Sequence, residues 1–181
     1  MPIPSPAEIL RFWREAGPDR WFAKDDAFGH AIRERFEPVW RAAAAGDLDG
    51  WTSTPDGALA LVIALDQFPR NLFRGSADAF ATDEQARRIA GEALARGDDA
   101  RVDPALRAFF YLPFMHSEDM ADQEHCVALY AAAGDAGGLE WARIHREIIA
   151  RFGRFPHRNA ALGRDTTPAE AEFLAGDGFK G

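Results

Sequence analysis

The sequence contains little cysteine, little lysine and no long apolar run, and each scarcity excludes a class of protein. Its single cysteine, Cys126, cannot form an internal disulfide, so disulfide cross-links do not hold the fold together. The apolar run at residues 59–65 is far shorter than the roughly 20 residues that a membrane-spanning helix needs. The N-terminal residues lack the basic start and the apolar stretch of a signal peptide. We therefore expect a cytoplasmic protein that does not associate with membranes.

Positive charge is also scarce. The chain has 29 acidic and 21 basic residues and a net charge of −8, which disfavours binding to nucleic acids or to anionic membranes. Only two of the basic residues are lysines, so nearly every cation is a guanidinium that can bind a carboxylate or phosphate through two parallel hydrogen bonds. Residues 140–164 hold six arginines and two acidic residues. This locally positive segment indicates either a small anionic partner or an internal network of salt bridges.

Apolar spacing and capping residues predict a wholly helical chain. Apolar residues recur three and four positions apart, as in residues 28–40 and 141–155, and no stretch alternates with a period of two. Capping residues followed by proline or acidic residues mark helix starts at Ser5, Thr54, Thr82, Asp103, Ser117 and Thr167. We expect helices at residues 6–16, 26–45, 55–68, 83–97, 104–112, 118–133, 138–154 and 168–175. Because the connections are short, these helices should form antiparallel pairs in a single domain, residues 1–181, with the run 59–65 in the most buried helix.

Two distant segments of the chain resemble each other. Residues 68–75 (FPRNLFRG) and residues 155–164 (FPHRNAALGR) both contain Phe-Pro, then Arg-Asn, and end with glycine and arginine. We expect Pro69 and Pro156 to stop the helix before them, as Pro38 should kink or break its own helix. One interpretation is that both segments are helix-ending turns whose arginines satisfy free carbonyl groups. The other is that the two segments converge and their arginines form one anion-binding site.

Asp66 is expected to need a cationic side chain beside its carboxylate. It follows the apolar run and lies near the predicted end of a helix, where the helix dipole disfavours a negative charge. A buried carboxylate without a partner would be strongly destabilising or would become protonated. Arg70, Arg74 and Arg158 are the candidate partners. The pair is either a structural ion pair or a carboxylate that orients a ligand-binding arginine.

Several longer motifs resemble a known family. They are residues 65–71 (LDQFPRN), 113–118 (PFMHSE), 151–159 (RFGRFPHRN) and 162–164 (LGR), with further matches at 21–22, 51 and 79–83. In these blocks, which extend over essentially the whole chain, the sequence resembles the bacterial family catalogued as domain of unknown function 924. The resemblance implies an all-helical fold of tetratricopeptide-like helix pairs. It implies no activity and no catalytic residues.

The residues around position 116 are further candidates. His116 precedes a predicted helix and could bind a ligand or a backbone carbonyl, whereas Ser117 is first of all a helix cap. Glu118 shares one helix face with Asp122 and His125, but the metal site this suggests would need a second copy of the spacing, which is absent from the sequence. The sequence also contains no phosphate loop and no dinucleotide fingerprint. We therefore predict neither a metal nor a cofactor.

The sequence thus predicts an all-α protein of antiparallel helix pairs, stacked as a tetratricopeptide-like array, with an arginine-rich polar cluster. The lead hypothesis is that this cluster binds a small anionic molecule or the acidic end of a peptide. The alternatives are an enzyme acting on a phosphate- or carboxylate-bearing molecule, with His116 or His157 as acid–base, and purely structural motifs. The oligomeric state stays open. The predicted ligand-binding residues are Asp66, Arg70, Asn71, Arg74, His116, Glu118, Arg154, His157, Arg158, Asn159 and Arg164.

Overall fold

The computed structural model describes residues 3–176, and every regular element in that part of the chain is helical. The α-helices are α1 (Pro6–Ala16), α2 (Pro18–Trp21), α3 (Asp26–Ala44), α4 (Pro55–Leu72), α5 (Asp83–Ala95), α6 (Leu112–Met115), α7 (Met120–Ala133), α8 (Ala136–Phe152) and α9 (Pro168–Ala175). Short 3-10 turns lie at Asp49–Ser53, Ala77–Phe80, Asp98–Ala100, Arg107–Phe110 and Pro156–Arg158. The all-helical prediction is confirmed, and the tetratricopeptide-like stacking stays a prediction. None of the helices within residues 3–176 is long and apolar enough to cross a membrane.

Several helix starts follow from their capping residues. The Thr54 hydroxyl accepts a hydrogen bond from Gly57 N at 3.1 Å, and Thr167 forms a complete capping box with Glu170. The prediction that Ser117 caps α7 is wrong, because the cap is Asp119, whose carboxylate accepts from the backbone N–H groups of residues 121 and 122. A carboxylate suits this position because it accepts both donors and lies at the positive end of the helix dipole.

The predicted helix at residues 104–112 is also wrong. The Asp103 carboxylate accepts a hydrogen bond from Ala105 N, which makes a local turn, and the chain continues through the 3-10 turn Arg107–Phe110 into the short α6. Residues 109–115 are all buried. Packing on several sides, rather than one amphipathic face, therefore shapes this segment.

The chain divides into two compact units, the first comprising Met1–Arg74 with Asp78–Pro113 and the second Gly75–Ala77 with Phe114–Gly181. The prediction of a single domain stays a prediction. In the first unit, α1, α3 and α5 all pack against α4, in which residues 58–65 are at most 1% exposed. The apolar run 59–65 was therefore correctly predicted to lie in a deeply buried helix.

The helices α3 and α4 continue through Pro38 and Pro69, so neither proline breaks its helix and the predicted stop at Pro69 is wrong. A proline inside a helix leaves the carbonyl four residues earlier without its backbone donor. For Pro69 that carbonyl is Leu65 O, and it accepts a hydrogen bond from the Thr82 hydroxyl at 2.5 Å. A side chain from outside the helix thus replaces the missing donor, and α4 ends only at Leu72.

The second unit contains α7, α8 and α9. Gly138 permits a close approach of α7 and α8, because a Cβ at this position would lie 2.2 Å from the Tyr130 ring. Gly153, with φ 66°, takes the left-handed conformation that ends α8. Phe155 is then extended, with φ −88° and ψ 108°, before the 3-10 turn Pro156–Arg158. The helix therefore ends before Pro156, as predicted, but it ends at Gly153 and not at the proline.

Candidate functional site

Residues 66–74, which we call the Asp66 segment, form an ion network in the first unit. Arg70 lies between two carboxylates: its Nη1 is 3.2 Å from Asp66 Oδ1, and its Nη1 and Nη2 donate to the Asp83 carboxylate at 2.8 and 3.0 Å. Burial alone would lower the pKa of Arg70, but the charges of Asp66 and Asp83 raise it above its ordinary value. Asp66 is 1% exposed, and Gln67 Nε2 donates to its Oδ2 at 2.6 Å. Arg70 is thus a cationic partner of Asp66, as predicted.

The Asp66 segment also satisfies carbonyl groups at the end of its own helix. Arg70 Nη1 donates to Asp66 O at 2.5 Å, and Asn71 Nδ2 donates to Gln67 O at 3.0 Å. The exposed Arg74 contacts Asn71 Oδ1 through Nη2 at 3.5 Å. These contacts favour the interpretation in which the polar side chains of this segment serve a helix end.

Residues 153–164, which we call the Arg158 loop, belong to the second unit and are anchored by Arg164. Its Nη1 and Nη2 donate to the Glu118 carboxylate at 2.7 and 3.0 Å, and Nη2 also donates to Phe155 O at 3.0 Å. Arg164 Nε donates to Asn159 Oδ1 at 3.1 Å, and Phe155 N donates to Glu118 Oε1 at 2.8 Å. Burial would raise the pKa of Glu118, but the hydrogen bonds from Arg164 and Phe155 lower it below its ordinary value. One carboxylate therefore holds both the beginning and the end of the loop.

A second carboxylate holds the loop through Arg154. The Nε and Nη2 of Arg154 donate to the Glu170 carboxylate at 2.6 and 2.9 Å, and Asn159 Nδ2 lies 3.3 Å from Glu170 Oε2. Glu170 Oε2 also accepts from Thr167 N at 2.7 Å, as the cap of α9. The hydrogen bond from Arg154 is the largest cause that lowers the pKa of Glu170 to about 2. Arg154 and Arg164 are thus both bound to carboxylates in two-point contacts.

Arg158, the third arginine of this loop, packs against an aromatic ring. Its guanidinium carbon lies 4.6 Å from the centroid of the Phe155 ring. Arg158 is 7% exposed and Phe155 is fully buried. The rings of His145 and His157 lie 5.6 and 5.5 Å from the same Phe155 ring. Phe155 is therefore surrounded by three side chains that can carry positive charge.

Both of these histidines are neutral at pH 7. Burial lowers the pKa of His157 to about 3, with the charge of Arg158 as the next largest cause and Glu118 acting in the opposite direction. Burial likewise lowers the pKa of His145 to about 4, with further contributions from His116 and Arg158. A hydrogen bond from the His145 ring to a carbonyl within α8 acts against this shift without reversing it. The surroundings of Phe155 thus disfavour any additional positive charge.

The structure brings the predicted site residues together in two groups. The group in the first unit consists of Asp66, Arg70, Asn71 and Arg74. The group in the second unit consists of His116, Glu118, Arg154, His157, Arg158, Asn159 and Arg164. That the two groups form one site stays a prediction.

Three residues of these groups were not predicted as members of a site. Asp83 and Glu170 are marked in the sequence only as helix-start residues, yet they bind Arg70 and Arg154, which lie 13 and 16 positions away. Phe155, the ring at the centre of the second group, is marked in the sequence as an apolar position of the pattern 141–155 and as part of the Phe-Pro motif, but not as a site residue. The excess of arginine in residues 140–164 is the one sequence signal that calls for carboxylates from elsewhere in the chain.

Metal binding and thiol chemistry receive no support from the described side chains. Within residues 3–176, no group of three or more histidine, cysteine, aspartate or glutamate residues is arranged to hold a metal ion. Burial raises the pKa of the Cys126 thiol to about 12. This thiol is therefore protonated at neutral pH and is a poor nucleophile.

Comparisons with known proteins agree with the helical architecture and with the motifs. The model of a family described as bacterial protein of unknown function, DUF924, matches residues 9–178. Among solved structures, a protein of unknown function from Agrobacterium tumefaciens is 49% identical to this chain with a TM-score of 0.91, and the match covers 94% of this chain and 96% of that chain. No curated protein matches the chain.

Proposed function

The chain belongs to the bacterial family of unknown function DUF924, and we propose that it binds a small anion, a carboxylate or a phosphate, at the Arg158 loop. We propose that the ligand is contacted by Arg158, His157 and His116. The frame that holds them consists of Glu118, Arg154, Phe155, Asn159, Arg164 and Glu170.

The observation that carries this proposal is the position of Arg158. The Arg158 residue is 7% exposed, and its guanidinium carbon lies 4.6 Å from the centroid of the Phe155 ring, in a loop that is held by two arginine–carboxylate pairs. A guanidinium with one face against a ring presents its N–H groups at its edge, and this planar fork matches a carboxylate or a phosphate. Because the frame is already ordered by paired charges, little conformational entropy is lost on binding.

Electrostatics favours the same ligand class. The charge of Arg158 contributes to the low pKa values of His145 and His157. Burial, the largest cause of these low pKa values, disfavours any charge, whereas the positive charge of Arg158 disfavours a proton on these rings and favours an anion beside them. Salt screens this attraction less than it screens surface charges, because the groups are buried or half-buried.

The alternative of an enzyme with a histidine acid–base is less well supported. An acid–base catalyst works best when its pKa lies near the working pH, whereas that of His157 is lowered to about 3. A neutral His157 ring is better suited to form a single hydrogen bond with a bound anion. The acidic end of a peptide presents the same carboxylate chemistry and is one arm of the test below.

We assign the Asp66 segment to structure, because Arg70 is bound to two carboxylates and Asn71 to a carbonyl. The expectation that both segments supply one site can be examined by a double-mutant cycle of Asp66→Asn and Arg158→Gln. Coupling above about 0.5 kcal/mol would support a shared site, whereas free energies that add within about 0.3 kcal/mol would contradict it.

Thermal unfolding in different anions tests the proposed function. The protein is melted in sodium phosphate, sodium acetate, sodium succinate or a short peptide with a free C-terminus, each against sodium chloride at equal ionic strength. A ligand at 100 times its Kd raises Tm by about 5–10 °C in a protein of this size. We expect a saturable rise with at least one of these four anions. If all four behave as chloride does, the proposal is wrong.

A pair of variants assigns the response to the loop. Arg158→Gln and Arg143→Gln both remove one positive charge, but Arg143 is exposed on α8. We expect the saturable rise to disappear in Arg158→Gln and to persist in Arg143→Gln. An equal loss in both variants would indicate unspecific attraction to positive charge. If Arg158→Gln does not fold, Arg158→Lys keeps the charge and removes the planar fork, and we expect weaker binding from it as well.

A further inference from the structure

A buried glutamine holds the turn that precedes α7. Gln123 is 0% exposed, and its Nε2 donates to Met115 O and Ser117 O at 2.7 Å each and to Phe114 O at 3.3 Å. Three carbonyl oxygens around one end of the amide determine its orientation, because the opposite orientation would place the amide oxygen against them.

Filling space in the core does not explain why a glutamine occupies this position, because the amide oxygen is left unsatisfied by the described part of the chain. Gln123 Oε1 is buried and has no hydrogen-bond partner among residues 3–176. A buried acceptor without a donor destabilises the fold, and an apolar side chain of similar size would fill the same space without that cost. An apolar residue cannot supply the two N–H groups of Nε2, which are shared among three carbonyl oxygens of the turn.

The turn leads directly to the frame of the Arg158 loop. It contains His116 and ends beside Glu118, the carboxylate that accepts from Phe155 N and from both terminal nitrogens of Arg164. A carboxylate makes two-point contacts only when the backbone that carries it is fixed. The hydrogen bonds of Gln123 fix that backbone together with those of the Ser117 hydroxyl, which donates to Asp122 Oδ2 and accepts from Asp119 N.

We infer that Gln123 is a positioning residue of the anion site: it fixes His116 and Glu118 and, through Glu118, the Arg158 loop. This inference rests on the proposed function, and Gln123 itself does not contact the ligand. The sequence alone does not distinguish Gln123 from the other polar residues of α7, because the three carbonyl groups that it binds lie in the preceding turn.

The test compares Gln123→Leu with a matched variant of the same helix. Cys126→Ala alters another fully buried side chain of α7, one turn further along, and keeps the Gln123 amide. The Kd values for phosphate and for acetate are measured well below the Tm of each variant. We expect Gln123→Leu to weaken binding of the anion that the wild type binds by about tenfold, and Cys126→Ala to change it by less than about twofold. Equal affinities in the two variants would overturn the inference.

A measurement without ligand separates this inference from the proposed function. Arg164 Nε donates to Asn159 Oδ1, so its N–H proton should give a protected NMR signal. We expect this signal to persist in Cys126→Ala and to shift or broaden in Gln123→Leu. If the wild type binds none of the four anions of the thermal-unfolding test, the proposed function fails, and the Arg164 signal alone decides about Gln123. An unchanged Arg164 signal in Gln123→Leu would then contradict the positioning role.

Gln123→Glu provides the rescue and replaces Gln123→Leu if that variant does not fold. An ionised carboxylate at this position faces three carbonyl oxygens, whereas the protonated form can donate to one of them. We expect the anion affinity of this variant, relative to that of the wild type at the same pH, to recover as the pH falls. An affinity ratio that does not change with pH would contradict the proposed role of Nε2.

Discussion

The Asp66 segment and the Arg158 loop share the order Phe-Pro, then Arg-Asn, but they fold differently. When Pro69 is aligned with Pro156, the first chain continues as helix to Leu72, whereas the second has already left its helix. The difference arises three positions before the proline, where the first segment has Asp66 and the second has Gly153. Glycine takes the left-handed conformation without strain, and an aspartate continues the helix. The glycine, rather than the proline, therefore decides where the helix ends.

The two regions also obtain their negative charges differently. Asp66 and Arg70 lie one helical turn apart on α4, so this ion pair forms with the helix itself. Arg164 and Arg154 bind Glu118 and Glu170, which lie 46 and 16 positions away in the sequence. Arg70 therefore has one partner within its own helix besides the distant Asp83, whereas the Arg158 loop is held by carboxylates from outside the loop.

The largest effect is expected from Asp66→Asn, which tests whether the Asp66 segment is structural. This change removes one of the two carboxylates that compensate the charge of Arg70 and leaves Asp83 as the other, so the free energy of unfolding should fall by about 2–3 kcal/mol. Urea unfolding measures this change. Glu92→Gln is the matched control, because Glu92 and Arg88 form the same one-turn pair with side chains that are about half exposed, and it should cost about 0.5 kcal/mol or less. Similar losses in both variants would contradict a special role for the buried pair.

The next largest effect is expected from Thr82→Val, which tests how α4 passes Pro69. This change keeps the shape of the side chain but leaves Leu65 O without its donor, and a buried unsatisfied carbonyl costs about 2 kcal/mol. In a Pro69→Ala background, the new N–H group at position 69 can donate to Leu65 O. The cost of Thr82→Val should then be at least about 1 kcal/mol smaller. An equal cost in both backgrounds would show that Thr82 does not compensate for the proline.

Alanine substitutions at two glycines of the second unit should have smaller effects, of opposite sign, on the free energy of unfolding. They test whether the left-handed glycine is what ends α8. Gly153→Ala places a side chain at φ 66° and should lower the free energy of unfolding by about 1 kcal/mol. Gly137 lies in the first turn of α8, where an added Cβ would meet only Asp135 Oδ1 at 3.8 Å. Gly137→Ala should therefore raise stability by about 0.5 kcal/mol. If Gly153→Ala were neutral, the left-handed conformation would not be what ends α8.

What the sequence predicts well in both regions is local. The caps Thr54 and Thr167 act within three residues of themselves, and the buried run of α4 follows from apolar composition alone. The continuation through Pro69 depends on Thr82, which lies 17 positions from the carbonyl that it binds. The role of Gln123 depends on three carbonyl groups whose positions are set by packing. Such contacts are not encoded by spacing, so the arginine clusters and the Asp66–Arg70 pair were predictable, whereas the contacts of Arg70 with Asp83 and of Arg154 with Glu170 were not.

The smallest effect at neutral pH is expected from His157→Gln, and it separates the two regions by their response to acid. The folded-state pKa values of His145 and His157, about 4 and about 3, lie below the value of 6.5 expected in the unfolded chain. The unfolded state therefore binds protons first, so the contribution of these residues is fully present above pH 6.5 and is lost as the pH falls from about 6.5 towards 3. His157→Gln should change the free energy of unfolding by about 0.5 kcal/mol or less at pH 7. The decrease of this free energy at acidic pH should be smaller in the variant than in the wild type.

The Asp66 segment contains no histidine, whereas the Arg158 loop contains His157, so the part of the acid response that is lost in His157→Gln belongs to the loop. NMR titration of the His157 ring gives the direct measurement. In Arg158→Gln the second-largest cause of the low pKa is removed, so the titration midpoint of His157 should move towards its ordinary value. A midpoint near 6.5 in the wild type would show that the His157 ring is neither buried nor beside a positive charge. The electrostatic argument for an anion at Arg158 would then fail, while the ion network around Asp66 would be unaffected.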